Sequence, residues 1–233
     1  MAQLVVSLLA LASLCAAAEP DCKELVKPLV LDSHSPVSTS RGGLGANSVA
    51  SVTLVFVPQI YGKWLLHVGT WDQPDLKRDL VSANSSWVDL SASSDSGMII
   101  MYWADRLHGE KCLQGIANVT VLGMTTHTTF IIDGHTSYHD GKFYETCSDC
   151  LLLEDTILLP DGKSKGRYLF LYTRTGGLEP SELETFKKQA ECLKFLPEYH
   201  FGNTELCPDI RETPSPAAEN TESEQTEAEQ KAK

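Results

Sequence analysis

Between Tyr61 and Thr173 the chain falls into eight short runs rich in aliphatic, aromatic and β-branched residues, separated by clusters of Gly, Asp, Asn or Ser. Their roughly even spacing is that of an antiparallel barrel or sandwich. The expected strands are Tyr61–Asp72, Ser86–Ser91, Gly97–Ala104, Ala117–Met124, Thr128–Asp133, Lys142–Thr146, Cys150–Leu159 and Arg167–Thr173, the first of them ending at a turn that contains Pro74. One helix follows. Ser181 can cap it, Glu184 completes a capping box and Pro180 precedes it. Leu183, Phe186, Ala190 and Leu193 recur at helical spacing with Lys187 and Lys188 turned away, so the helix should lie against the outside of the β structure.

The flanks differ in kind. Residues 1–18 read as a signal peptide, an apolar run from Leu4 to Ala12 followed by small residues up to Ala18. The run is too short to span a bilayer, which takes about 20 apolar residues, and the mature chain is expected to be exported without a membrane anchor. Residues 19–36 form an N-terminal segment and residues 60–207 the β domain. From Pro208 to Lys233 there are seven acidic residues and no aromatic one, too little apolar surface to offset the entropy of ordering, so 208–233 is expected to be a disordered acidic tail.

Residues 37–59 are an atypical insertion: a loop-like Ser- and Gly-rich stretch, then the uncharged β-prone run Val52–Val57. One reading is an extra strand. The other, which we favour, is a retained intron, because Val codons begin with GT, one Gln codon ends in AG, and removing 37–59 joins Pro36 directly to Ile60-Tyr-Gly-Lys-Trp.

Net charge is −12, and the 19 Lys and Arg residues are scattered, which argues against nucleic acid as a partner. Of seven cysteines, Cys15 leaves with the signal peptide; the remaining six suggest disulfides in an oxidising compartment, with fifteen pairings open. Zinc at Cys147-Ser-Asp-Cys150 is disfavoured because no second Cys or His pair stands at zinc-site spacing. Asn84-Ser-Ser and Asn118-Val-Thr are glycosylation sequons. There is no Gly-x-Ser-x-Gly elbow, no His-Glu-x-x-His pair and no phosphate loop, so the chain does not read as an enzyme and no cofactor is implied.

Gly62-Lys63-Trp64 opening the first strand, and Tyr172-Thr-Arg174-Thr just before the helix, resemble the first and last motifs of the lipocalins; Ser148-Asp149-Cys150 stands where the middle motif falls. The sequence is similar to the alpha-1-acid glycoprotein-like branch, which includes fish tributyltin-binding and saxitoxin- and tetrodotoxin-binding proteins. The resemblance implies an eight-stranded antiparallel up-and-down barrel with one C-terminal α-helix packed outside, and Arg174 stacked on Trp64 beside Gly62 to close one end. It also implies the pairs Cys22–Cys192 and Cys112–Cys207. The resemblance places no counterpart for Cys147 and Cys150; residues three apart in a straight strand stand about 10 Å apart, so a bridge between them needs a turn or bulge there, and without one they are free thiols.

The function it implies is secreted, monomeric carriage of a small lipophilic or amphiphilic ligand in the barrel, a toxin or xenobiotic included, with no membrane or nucleic-acid partner. The alternatives are a lipid carrier resembling apolipoprotein M and an acute-phase immunomodulatory protein acting through its surface. Trp103, Arg106, His108, Phe130 and Tyr172 are the candidate lining. His127, His135 and His139 fall together on one expected hairpin, but their Thr-, Ser- and Gly-rich surroundings read as a solvated loop, and no metal is expected there. Transcripts lacking the codons for 37–59 are expected on sequencing the messenger RNA; if none is found, the extra-strand reading stands.

Overall fold

The computed structural model describes residues 21–32, 53–209 and 211, so the expected signal peptide, residues 37–52 of the insertion and nearly all of the acidic tail lie outside the described residues. A short helix α1 (Cys22–Leu25) and strands β1 (Leu29–Asp32) and β2 (Thr53–Phe56) come first. Then follow β3 (Gly62–Trp71), α2 (Lys77–Ser82), β4 (Ala83–Ala92), β5 (Met98–Leu107), β6 (Cys112–Leu122), β7 (Thr125–Ile132) and β8 (His135–Tyr144). The chain continues through β9 (Cys150–Leu158), β10 (Lys165–Thr173), α3 (Pro180–Cys192) and β11 (His200–Phe201).

Strands β3 to β10 pair antiparallel in chain order, and β10 returns to β3 from Tyr168↔Trp71 to Thr173↔Leu65, which closes an eight-stranded barrel. All eight expected strands are present. Two are much longer than their apolar signal. β8 starts at His135 because its polar first half hydrogen-bonds to β7 through the backbone, a pairing that leaves no hydrophobic trace in the sequence. Likewise Cys112–Ile116 pairs with Arg106–Tyr102, although Gln114 and Gly115 interrupt the apolar run there.

Alternation along β10 divides the core into an inside and an outside. Tyr168 and Tyr172 belong to the cluster within the barrel, together with Trp64, Leu66, Ile99 and Phe143. Leu169 and Leu171 point the other way and pack with Val68 and Leu152 against Phe186 and Ala190 of α3. The helix therefore lies outside the barrel as expected, but its cap is two residues earlier: Glu179 and Glu182 form the capping box and Pro180 occupies the first turn, where its missing N–H has no partner to lose. Ser181 is inside the helix. On the buried face Gln189 donates to the Leu25 and Glu145 carbonyls at 2.8 and 2.7 Å, tying α1 and the end of β8 to the helix.

β4 pairs with only the first part of β3, Gly62–Leu65, and the chain after α3 fills the wedge that opens beyond. β11 pairs with Gly69 and Val68; Gly202 N–H donates to His67 O at 3.0 Å, and Asn203 N–H to Asn84 O at 2.8 Å. Gly202 comes so close that a Cβ there would stand 2.2 Å from the Leu66 carbonyl oxygen. Cys112–Cys207 fastens the end of this strap and Cys22–Cys192 fastens α1 to α3, as the resemblance implied. Their sequence separations of 95 and 170 make each worth about 4–5 kcal/mol in the loop-entropy account.

Cys147 and Cys150 are also bridged, which settles the alternative the sequence left open. The strand has not yet begun at Cys147: a turn in which Cys150 N–H donates to Cys147 O at 3.1 Å brings the two Cα atoms to 5.1 Å. At the other flank β2 runs parallel to β1, from Leu29↔Thr53 to Asp32↔Phe56, as a separate ladder that leads through a 3₁₀ turn into β3. Leu31 is buried in the barrel cluster, and its N–H donates to Gly123 O in the β6–β7 turn, so the N-terminal segment covers that end.

The barrel is also closed at Trp64. The Arg174 guanidinium lies 3.5 Å from the indole centroid and donates to Lys63 O at 3.2 Å and Gln59 O at 3.3 Å, while Trp64 Nε1 donates to Ile60 O at 2.7 Å. Gly62 has φ +96°, and a Cβ there would meet Arg174 Nη1 at 3.0 Å, so this position takes glycine on both counts. Replacing Arg174 by Ala removes a stacked cation and two carbonyl partners and is expected to cost about 2 kcal/mol. In a thermal melt this lowers the midpoint by about 4–8 °C, and Arg174→Lys recovers only part of it because an ammonium cannot reproduce the planar fork.

Candidate ligand cavity

The barrel encloses a cavity of about 280 Å³. Most of its wall is apolar, supplied by inward positions on every strand: Leu66, Val88 and Leu90, Ile99 and Met101, Val119, Phe143, Leu151 and Leu153. β10 adds an aromatic ladder in which Tyr168 stacks on Phe170 at 5.5 Å between ring centroids and Phe170 meets Tyr172 at 6.0 Å. A second aromatic row crosses strands: Trp103 of β5 meets Phe130 of β7 edge-on at 5.6 Å, and Phe130 meets His139 of β8 at 4.6 Å.

Three carboxylates break the apolar wall, Asp79 of α2, Asp105 of β5 and Asp155 of β9; no Lys or Arg is among the lining residues. Asp105 stands opposite Ser86 in the β4–β5 register, and the Ser86 hydroxyl is hydrogen-bonded to its carboxylate and to the Tyr172 phenol. Desolvation dominates and pushes the Asp105 carboxyl above the usual carboxylate range, with the Ser86 bond offsetting part of it. Burial, then the negative charges of Asp105 and Asp155, push the Tyr172 phenol well up, so it stays protonated and able to donate. Asp155 is paired: His139 Nδ1 donates to Asp155 Oδ2 at 2.7 Å, and His139 Nε2 is 3.2 Å from Ser137 Oγ. The site thus combines apolar walls with one unneutralised, desolvated carboxyl group at Asp105.

Of the residues singled out in the sequence, Trp103, Phe130 and Tyr172 are in the wall together. Arg106 and His108 are not. Arg106 follows inward Asp105 and points outward, pairing with Glu205 at 3.3 Å and Glu110 at 3.6 Å. His108 is beyond the end of β5, exposed, with Nε2 against the Val81 carbonyl at 3.0 Å. The three histidines do not converge: His127 pairs with Asp140 on the outer face, His135 is exposed at the β7–β8 turn, and only His139 faces the cavity. Asn118 is exposed on the outside of β6, whereas Asn84 is half-buried at the strap.

Sequence reasoning missed Asp105, Asp155, Ser86 and Phe170. A signal was available: residues two apart in a strand share a face, so Trp103 inside places Met101 and Asp105 inside and excludes Arg106, and Tyr172 inside places Phe170 and Tyr168 beside it. Asp155 had no such anchor.

No family model matches the chain. Two curated fish proteins resemble it in sequence, Saxitoxin and tetrodotoxin-binding protein 2 and protein 1 of Takifugu pardalis. They are 27% and 26% identical to it over 175 residues, covering 67% of this chain and 42% of theirs. The chain spans well under half the length of these curated relatives. Among solved structures, a dog lipocalin allergen has a TM-score of 0.51 at 12% identity, covering 64% of this chain and 97% of the allergen. Aphrodisin, a sex pheromone from female hamster, has a TM-score of 0.51 at 15% identity, covering 64% of this chain and 98% of aphrodisin. At those identities the likeness is one of fold. The closed barrel with its outer helix and the stacking of Arg174 on Trp64 give the chain the lipocalin fold, and in sequence it is similar to the two fish relatives.

Proposed function

We propose that the chain is a secreted, monomeric carrier, not an enzyme, and that its cargo is a small amphiphilic molecule bearing a positive charge, a toxin or xenobiotic amine being the class it suits. One observation carries this reading: an apolar cavity of about 280 Å³ whose wall holds three carboxylates and no Lys or Arg. The aromatic and aliphatic wall supplies affinity without direction, and half-buried Asp105, with no Lys or Arg in the wall beside it, gains most from a ligand that brings its own charge. Ser86 and Tyr172 supply further polar contacts beside it. The small-molecule binding named for the fish relatives agrees with carriage, as three disulfides agree with an oxidising compartment. Among the described residues no helix is long and apolar enough to cross a membrane. Glycans at the exposed Asn118 and at Asn84 complete the reading.

Titration with an environment-sensitive probe, followed through Trp103 emission and displaced by ligands of matched size, tests it. A quaternary ammonium amphiphile should compete best, a neutral steroid less well and a fatty-acid anion worst; no saturable binding by the disulfide-bonded protein would sink the carrier reading. Asp105→Asn should weaken the ammonium ligand about tenfold, roughly 1.4 kcal/mol, and leave the neutral one unchanged.

The pH dependence has a fixed sign. Binding a permanent cation requires ionised Asp105, whose folded-state pKa is raised, so affinity holds above that pKa and falls as pH drops through it, sooner than for an ordinary carboxylate. Asp105→Asn should flatten that acid limb. The same raised pKa makes ionised Asp105 a cost to the unliganded fold, so the Asn variant is expected to be slightly more stable at neutral pH.

A further inference from the structure

The turn Cys147-Ser148-Asp149-Cys150 holds a bridged, half-buried pair of sulfurs. From a distant part of the chain, the first turn of α3 brings Glu182 against them: both Sγ atoms and a Glu182 carboxylate oxygen lie within 4.8 Å of one another. Among the described residues this is the one group of three such donors that converges. The Glu182 carboxylate is also oriented, since its Oε2 accepts from the Glu179 N–H at 3.0 Å in the capping box. The group borders a depression of about 340 Å³ whose rim adds Glu24, Glu145, Thr146 and Thr185. Lys27 is held by Glu24 at 2.7 Å.

We propose that this is a metal site gated by its own disulfide: once the bridge is reduced, the Cys147 and Cys150 thiolates and the Glu182 carboxylate hold one thiophilic divalent cation of the zinc or cadmium type. The S–S bond accepts two electrons and two protons from a dithiol, which is oxidised to its own disulfide. The metal then displaces the two thiol protons and binds two sulfurs and one oxygen, with water in the fourth tetrahedral position. Surrounding carboxylates disfavour free thiolates and favour a bound cation, so the reduced pair gains more from a metal than from standing open. Opening this bridge leaves the barrel intact, because it closes a loop with a sequence separation of 3, against 170 and 95 for the other two.

Cadmium is the probe, added to the full chain. Mild dithiol treatment, stopped when alkylation and mass spectrometry count two free thiols, should open Cys147–Cys150 first and yield a protein that binds one cadmium with the ultraviolet thiolate-to-metal band. The oxidised protein and the Cys147→Ser, Cys150→Ser double variant should show no band. Glu182→Gln, which keeps the capping box, should keep the band and weaken cadmium at least tenfold. Binding of the apolar probe in the barrel, unchanged throughout, reports the fold. The proposal is overturned if reduced protein shows no band at micromolar cadmium, if the double variant retains it, if Glu182→Gln binds as tightly as the parent, or if another bridge reduces first.

Discussion

The return of β10 onto β3 is the constraint on which the rest of this molecule depends. A sheet of eight antiparallel strands left open would present two unpaired edges, and its inner face would need a second layer to cover it. Closed on itself, it needs neither, and a ring of eight is just wide enough to leave space inside. Arg174 reinforces the closure at the end of β10 by joining a carbonyl before β3, a carbonyl within it and the face of Trp64. Because β10 is paired on both sides, its alternate residues serve two cores at once, Tyr168, Phe170 and Tyr172 within and Leu169 and Leu171 beneath the helix.

The seam between β9, β10 and the helix also holds buried Glu154 and the ion pairs around it. Arg167 donates to Asp72 at 2.8 Å, to Glu154 at 3.2 Å and to the Leu193 carbonyl at 3.2 Å, so the guanidinium links β3, β9 and the helix end. Buried Glu154 takes a further bond from Tyr144 at 2.5 Å. These carboxylates are compensated by fixed partners. Asp105 in the cavity, by contrast, has no Lys or Arg in the wall beside it.

The wedge between β3 and β4 shows a different economy. The strands diverge after Leu65, and the exposed edges are covered by the strap that runs from β11 to Cys207, with Trp87 Nε1 donating to Cys207 O at 3.0 Å beneath it. A disulfide at the strap's far end keeps this cover in place, and the close approach at Gly202 leaves no room for a side chain. The Arg211 guanidinium, 4.5 Å over the Tyr102 ring and bonded to Asp89, continues the attachment past the disulfide.

Some of this was legible in the sequence because it is local. Strand number, the helix and its apolar face follow from periodicity and turn residues, which act over a few positions, and Gly62, Trp64 and Arg174 were found because their motifs are contiguous. Strand length was not legible where a strand is polar, as in the first half of β8, because backbone pairing there needs no apolar side chain. The bridge between Cys147 and Cys150 depended on how tightly the connection between two expected strands turns, which spacing alone does not set. The cavity wall depended on register: one residue of phase decides whether Asp105 or Arg106 looks inward, and that phase is set by pairing with strands far away in the chain. So the sequence by itself determined that the chain makes eight strands and a helix, since those are properties of neighbours, while the Trp and Arg at the barrel's end were legible only through the resemblance of two short motifs. Only the tertiary structure decided which carboxylates share the cavity and that Glu182 reaches the two cysteines, because those are contacts between residues that only closure of the barrel and docking of the helix bring together.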